Sequence, residues 1–161
     1  MKDIHKGQAS VEFALVVPML IFLFLSIVYV GITFMDYTQY SNAARDMARD
    51  ISITSGSEEK KNLQTEINAK NDTVLKRYVS PLTSLYTPQY AVKFFNGTGA
   101  EEEDTSKALD VLITIHLTRD DLPQPLEALG ILPRELKPII YKMRMEQNQE
   151  NQENQENQEN G

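Results

Sequence analysis

Residues 7–35 read GQASVEFALVVPMLIFLFLSIVYVGITFM and form the longest apolar segment of the chain. From Phe13 to Met35 it contains no charged residue. As a helix that rises about 1.5 Å per residue, the uncharged part is about 35 Å long, enough to cross a bilayer with some tilt. A cleaved signal peptide has a shorter apolar region, of about 7–15 residues, followed by small residues. The sequence therefore predicts a retained membrane-spanning helix.

The charges at the start of this stretch predict its orientation. Lys2 and Lys6 precede the span, which favours a cytoplasmic N-terminus and places the rest of the chain outside. Glu12 lies at the edge of the span. A carboxylate is costly in hydrocarbon, so a membrane helix tends to lack one unless it is used. The alternative is an interfacial side chain whose carboxylate reaches water.

The helix is predicted to continue beyond the membrane. Apolar residues recur at three- and four-residue steps along one face, namely Tyr37, Tyr40, Ala44, Met47 and Ile51. Phe34, Tyr37, Tyr40 and Met47 are interpreted as packing residues rather than as a binding platform. One helix should therefore run from about Glu12 to about Ile53, and the Ser-Gly-Ser sequence at 55–57 should end it.

The remaining sequence predicts a small α+β unit with a polar tail. A second helix is expected from Glu58 to Val79, and strands are expected in segments 90–95, 108–117 and 138–146, where apolar residues alternate. The proline-rich segment 119–136 reads as a crossover. The fold class is therefore α+β, with a long N-terminal helix on a small antiparallel sheet. Residues 147–161 repeat Asn, Gln and Glu without apolar residues, which predicts disorder.

Composition argues against several classes of function. With 16 basic and 23 acidic residues the net charge is −7, which does not suit nucleic acid. The chain has no cysteine, so it has no disulfide and no thiolate zinc site. His116 is interpreted as structural, and the acidic run 101–104 as a solvated turn rather than a calcium loop. We expect no enzyme activity, no cofactor and no bound metal.

The order glycine, four residues, glutamate, aromatic residue and spanning helix resembles the processing site of type IV prepilins. Gly7, Glu12 and Phe13 hold these positions. More narrowly, residues 7–28 resemble the TadE-like minor pseudopilins of tight-adherence pilus systems. The stretch SNAARDMAR at 41–49 resembles a second sequence typical of that family.

This resemblance implies a minor pilin-like structural subunit. A prepilin peptidase would cut between Gly7 and Gln8, with Glu12 and Phe13 serving peptidase recognition and assembly. The implied partners are that peptidase, other pilin or pseudopilin subunits, an inner-membrane assembly platform and membrane lipid. The protein would be single-pass in the cell membrane, or in the pilus at the cell surface. The implied divisions are a leader at 1–7, the transmembrane helix at 8–35, its continuation and turn at 36–57, the outer domain at 58–146 and the tail at 147–161.

Two rival functions remain open at this point. The first is a pseudopilin of a type II secretion or DNA-uptake system, although those more often carry a large apolar residue straight after the cut, where this chain has Gln8. The second is a single-pass, membrane-anchored extracellular binding or sensor module, in which Glu12 has no special role. An uncut chain would favour this second alternative.

A cut after Gly7 would give Glu12 a charged neighbour. The new α-amine on Gln8 would lie one helical turn from the carboxylate, on the same helix face. At contact distance two such charges attract by about 4 kcal/mol at an intermediate dielectric constant. We therefore expect pairing of Glu12 with an amine, its own or that of a neighbouring subunit, to set the register between subunits.

Overall fold

The N-terminal third of the chain is one long helix. The computed structural model describes residues 2–80, 84–119, 130 and 133–145, with side chains described from Ser10 onward. Helix α1 spans Lys2–Ile53 and has 52 residues. It ends where predicted but begins earlier than Glu12. The tail at 147–161 and most of the segment 119–136 lie outside the described residues.

A small sheet and two short helices follow α1. Helix α2 spans Ser57–Asn68 and α3 spans Asp72–Leu75, and they precede strands β1 (Thr87–Phe95), β2 (Asp110–Thr118) and β3 (Ile139–Arg144). The three strands form one antiparallel sheet in the order β1-β2-β3. The predicted α+β class and all three predicted strands are confirmed.

The predicted single helix from Glu58 to Val79 is wrong, because the backbone reverses after α2. Lys70 adopts a left-handed conformation with φ 56°. Its N–H donates to the carbonyl of Ile67, and the Asn71 N–H donates to that of Glu66, which closes a Schellman motif. The Asn71 side chain then accepts a hydrogen bond of 3.0 Å from the Thr73 N–H and starts α3.

Replacing Lys70 with glycine should stabilise the protein. A side chain at a left-handed position is strained, whereas glycine adopts that conformation freely. Relief of a left-handed strain of about 1–2 kcal/mol should exceed the entropic cost of introducing glycine, which is about 0.4–1 kcal/mol. We therefore expect Lys70→Gly to raise the free energy of unfolding by about 0.5–1 kcal/mol, as measured by chemical denaturation of the full chain in detergent. Lys70→Ala is the control, because it shortens the side chain but keeps the Cβ. Equal stabilisation by alanine would contradict the backbone explanation.

The core lies between the helices and one face of the sheet. Helix α1 lies over β2 and β3, and α2 lies over β1. Met47 and Ile51 of α1 are fully buried, as the predicted stripe requires. The sheet residues that face them alternate with exposed or half-buried ones and are Tyr90, Val92, Phe94, Val111, Ile113, Ile115, Leu117 and Ile139. This burial pattern has period two, so the predicted inner faces of the strands are confirmed.

Helix α2 also covers the outer edge of the sheet. The Val92 N–H donates to Asn68 Oδ1 at 2.9 Å, and Gln64 Nε2 donates to the Val92 carbonyl oxygen at 2.8 Å. Both backbone groups of Val92 are thereby satisfied on the side away from β2. An edge strand with unpaired backbone groups is a template for pairing with another chain, and α2 prevents this at the centre of β1.

Candidate processing and assembly site

The residues of the predicted processing motif lie together at the start of α1. Gly7, Gln8, Glu12 and Phe13 are all helical. Residues 8 and 12 are four apart, so helix geometry places them on the same face, one turn from each other. Glu12 is exposed, and the Phe13 side chain is 70% exposed. The bond between Gly7 and Gln8 therefore lies within helical backbone.

The next part of α1 is apolar and uncovered. Among the described residues, this is the helix that is long and apolar enough to cross a membrane. None of its most apolar 18 residues is buried within the protein. Consecutive apolar side chains are exposed, for example Met19, Leu20, Ile21 and Phe22, and because successive residues point about 100° apart they surround the helix. A helix that is apolar on all sides needs an apolar surrounding, since water would be unfavourable for the whole surface. This helix could therefore span a membrane and anchor the protein there.

The uncovered part of α1 ends, and the part that packs on the sheet begins, at Asp36. This carboxylate is only 2% exposed. Its Oδ2 accepts a hydrogen bond from the Leu85 N–H at 2.9 Å and one from the Ser84 hydroxyl at 3.0 Å. One turn further, Gln39 Nε2 donates to the Ser80 carbonyl oxygen at 2.9 Å. These contacts bind the chain that enters β1 to the helix at the point where the apolar segment ends.

Three tyrosines of the core are buried here, with Tyr40 near Asp36 and Tyr90 near Tyr40. Tyr86 is buried, and its hydroxyl donates to the Pro133 carbonyl oxygen at 3.0 Å. Burial raises the pKa of the Tyr40 and Tyr90 hydroxyls above the ordinary tyrosine value; at Tyr40 a hydrogen bond with Ser84 opposes this and the Asp36 carboxylate adds to it. Both side chains are therefore neutral at physiological pH. They provide large apolar surface near the only buried carboxylate of the described residues.

The role of Asp36 is not evident from the sequence. The charge pattern marks it only as the first charged residue after the span. A signal is nevertheless present, because Asp36 lies four residues before Tyr40 and thus on the same helix face as the buried stripe. A carboxylate in that position must find donors, since an unpartnered buried charge is very costly. The donors come from residues 84 and 85, which no local pattern could indicate.

Of the stripe Phe34, Tyr37, Tyr40 and Met47, the last three pack against the core, whereas Phe34 is 72% exposed and belongs to the apolar segment.

The lone histidine of the sheet and the acidic run are not assembled into a reactive site. His116 is on the outer face of β2, with its Nδ1 3.7 Å from Glu135 Oε1. In the acidic run, the Asp104 carboxylate accepts hydrogen bonds from the Ser106 N–H and hydroxyl at 3.0 and 2.6 Å, as a turn residue does. Within the described ranges, no group of three or more acidic, histidine or cysteine side chains could hold a metal ion.

One comparison with known proteins gives a match, which lies in the N-terminal part of the chain. The model of the TadE-like protein family matches residues 7–49. The match confirms the resemblance inferred from the glycine–glutamate motif and from the stretch at 41–49. It includes the apolar segment, Asp36 and most of the sheet-packed part of α1, and it ends before α2. No curated protein and no solved structure matches the chain.

Proposed function

We propose that this protein is a minor pilin-like structural subunit of a tight-adherence pilus or a related secretion fibre. A prepilin peptidase cuts it between Gly7 and Gln8, and it then takes part in pilus assembly from the membrane. One observation carries the proposal: a single helix contains the TadE-like segment, which includes the motif, the uncovered apolar stretch and most of the part that packs on the sheet. A pilin-like subunit needs these three parts in this order.

The proposed cut requires the start of α1 to open. A peptidase must reach both sides of the scissile bond, and helical backbone is not accessible in that way. Glycine destabilises a helix interior by about 1 kcal/mol relative to alanine, so local opening is easiest at Gly7. Glycine also lets a catalytic group approach the backbone closely, because it has no Cβ. These properties support Gly7 as the residue before the cut.

The cut changes the charge at the end of the helix. It removes Lys2 and Lys6 and leaves a new α-amine on Gln8. Glu12, one turn further along, then provides a carboxylate for this amine or for the amine of a neighbouring subunit. Phe13 is the aromatic residue that the peptidase and adjacent subunits would contact. The remaining proposed partners are other pilin or pseudopilin subunits, the inner-membrane assembly platform and membrane lipid, with the sheet outside the cell membrane.

The test is the N-terminal sequence and mass of the protein isolated from membranes, with and without a functional prepilin peptidase. We expect a start at Gln8 when the peptidase is present and a start at Met1 when it is absent. A start at Met1 in both samples would overturn the proposal. The protein would then be better described as a membrane-anchored binding or sensor module.

A further inference from the structure

Beyond its membrane segment, α1 carries opposite charges on two sides. Arg45 and Arg49 are four residues apart and form what we call the positive flank. Asp46 and Asp50 are likewise four apart and form the negative flank. All four side chains are exposed. Because each residue turns the helix by about 100°, the two flanks face different directions.

Contacts within the protein show where each flank points. The Arg45 guanidinium lies 5.8 Å from the centre of the Tyr141 ring, so the positive flank is on the β3 side. The Tyr78 hydroxyl donates to Asp50 Oδ2 at 2.8 Å, so the negative flank faces the chain after α3. Burial and this hydrogen bond raise the pKa of the Tyr78 hydroxyl, which therefore remains a donor. The two flanks border the exposed face of α1.

Within the described residues, Asp50 and Arg45 contact tyrosines, but these four charges lack ion-pair partners. None of the four side chains forms an ion pair in this part of the chain. Arg77 is near enough to influence Tyr78 but does not pair with either carboxylate. Like charges four residues apart repel each other slightly, and each flank contains such a pair, while Asp46 and Arg49, three residues apart, attract each other and offset part of this repulsion. A partner of opposite charge would relieve the repulsion on both flanks.

We propose that the positive flank of one copy of this protein binds the negative flank of a second copy standing beside it in the same membrane. Copies anchored in one membrane point the same way. Arg45 differs from Asp46, and Arg49 from Asp50, by one residue, which is about 1.5 Å along a helix. Two parallel helices at nearly the same height therefore align both ion pairs at once. The second copy is the partner that this charge complementarity fits.

The contact is of the head-to-tail kind, because it joins two different surfaces. Each copy that binds one neighbour through its positive flank keeps a negative flank free for the next, so the contact builds a row or ring rather than a closed pair. Arg45 lies ten residues beyond Met35, about 15 Å from the end of the uncharged segment. Confinement to a membrane raises the effective concentration of the neighbours, so individually weak ion pairs are sufficient.

Two complementary charge reversals of the full chain test the proposal. The first variant is Arg45→Glu with Arg49→Glu, and the second is Asp46→Lys with Asp50→Lys. Copies carrying two different fluorescent labels are expressed together, and energy transfer between them is measured in isolated, undissolved membranes, where the copies stay confined. We expect each variant to lose at least tenfold in self-association, since its two flanks then carry the same charge. The two variants together should recover wild-type association, because all flanks between them are again complementary.

The control is Lys61→Glu, an exposed charge reversal on α2 that should leave association unchanged.

If the double variants do not fold, Arg49→Glu and Asp46→Lys replace them. Each should lower self-association at least threefold alone, and the mixture of the two should recover it. If these also fail to fold, wild-type association is compared at low and high salt, and we expect it to weaken with salt. Wild-type self-association by a folded variant, a mixture that does not recover, or an absence of salt dependence would overturn the proposal.

The inference rests on the proposed membrane-anchored subunit, and the same samples separate the two. If the protein starts at Gln8 and the charge-reversed variants associate as well as the wild type, the proposed contact is wrong and the proposed function is unaffected. A start at Met1 with and without the peptidase overturns the proposed function.

Discussion

Gly7→Val should leave the protein uncut in cells that contain an active prepilin peptidase. Valine places a branched side chain beside the scissile bond, where a catalytic group must approach the backbone closely. Misplacing reacting groups by about 1 Å can cost about 100-fold in rate, and we expect cleavage to fall by at least that factor. The measurement is the ratio of the chain starting at Met1 to the chain starting at Gln8, determined by mass spectrometry of membrane protein.

Gly31→Val provides a matched control in the same helix. A Cβ at Gly31 meets nothing within 4 Å, and the residue is far from the cut. This variant should be cleaved like the wild type. Normal cleavage of Gly7→Val, or equal loss in both variants, would contradict the role given to Gly7.

Glu12→Ala separates cleavage from assembly. It leaves the bond and its glycine intact, so the chain should still start at Gln8. The new amine would lack its carboxylate, and the content of this protein in isolated fibres should fall. Wild-type incorporation would contradict a role for Glu12 in setting subunit register.

Asp36→Ala should destabilise the folded protein substantially. It removes the acceptor for the Leu85 N–H and the Ser84 hydroxyl at a site where the carboxylate is 2% exposed. Leaving a buried donor unsatisfied costs about 1–3 kcal/mol, and hydrogen bonds to a charged group lie at the upper end. Relief of the desolvation cost of the carboxylate offsets part of this. We expect the free energy of unfolding to fall by about 2 kcal/mol.

Chemical denaturation of the full chain in detergent, followed by circular dichroism, measures this effect. Asp36→Asn keeps one acceptor oxygen and should cost about 1 kcal/mol or less. Glu103→Ala is the surface control, and its effect should remain within about 0.5 kcal/mol. If Asp36→Ala lowers the free energy of unfolding no more than Glu103→Ala does, then Asp36 does not hold the segment after α3 to the helix.

What the sequence could predict was local in character. The stripe that ends at Ile51 and the alternation through β2 follow from the helix period of 3.6 and the strand period of 2, so their buried faces were readable. The spacing from Gly7 to Phe13 is equally local, and the family match to residues 7–49 confirms the resemblance drawn from it. The cut itself remains a prediction.

What the sequence could not predict depended on distant partners or on unusual backbone. Asp36 binds Leu85, which is 49 positions away, and Val92 binds Asn68, which is 24 positions away. No periodic pattern encodes such pairs. The sequence predicts one helix where the structure has α2 and α3. A glycine usually marks such a helix end, but here Lys70 occupies the left-handed position.

The continuity of α1 has a mechanical consequence. The residues that would lie in the membrane and the residues that carry the sheet belong to one helix, with no linker between them. An axial displacement of the helix is therefore passed on without loss, since Asp36 and the apolar contacts beyond it hold the sheet to the same rod. Drawing the membrane segment outward by one helical turn would raise the sheet by the same distance, about 5.4 Å. The height of the sheet above the membrane is therefore set by the depth of the membrane segment.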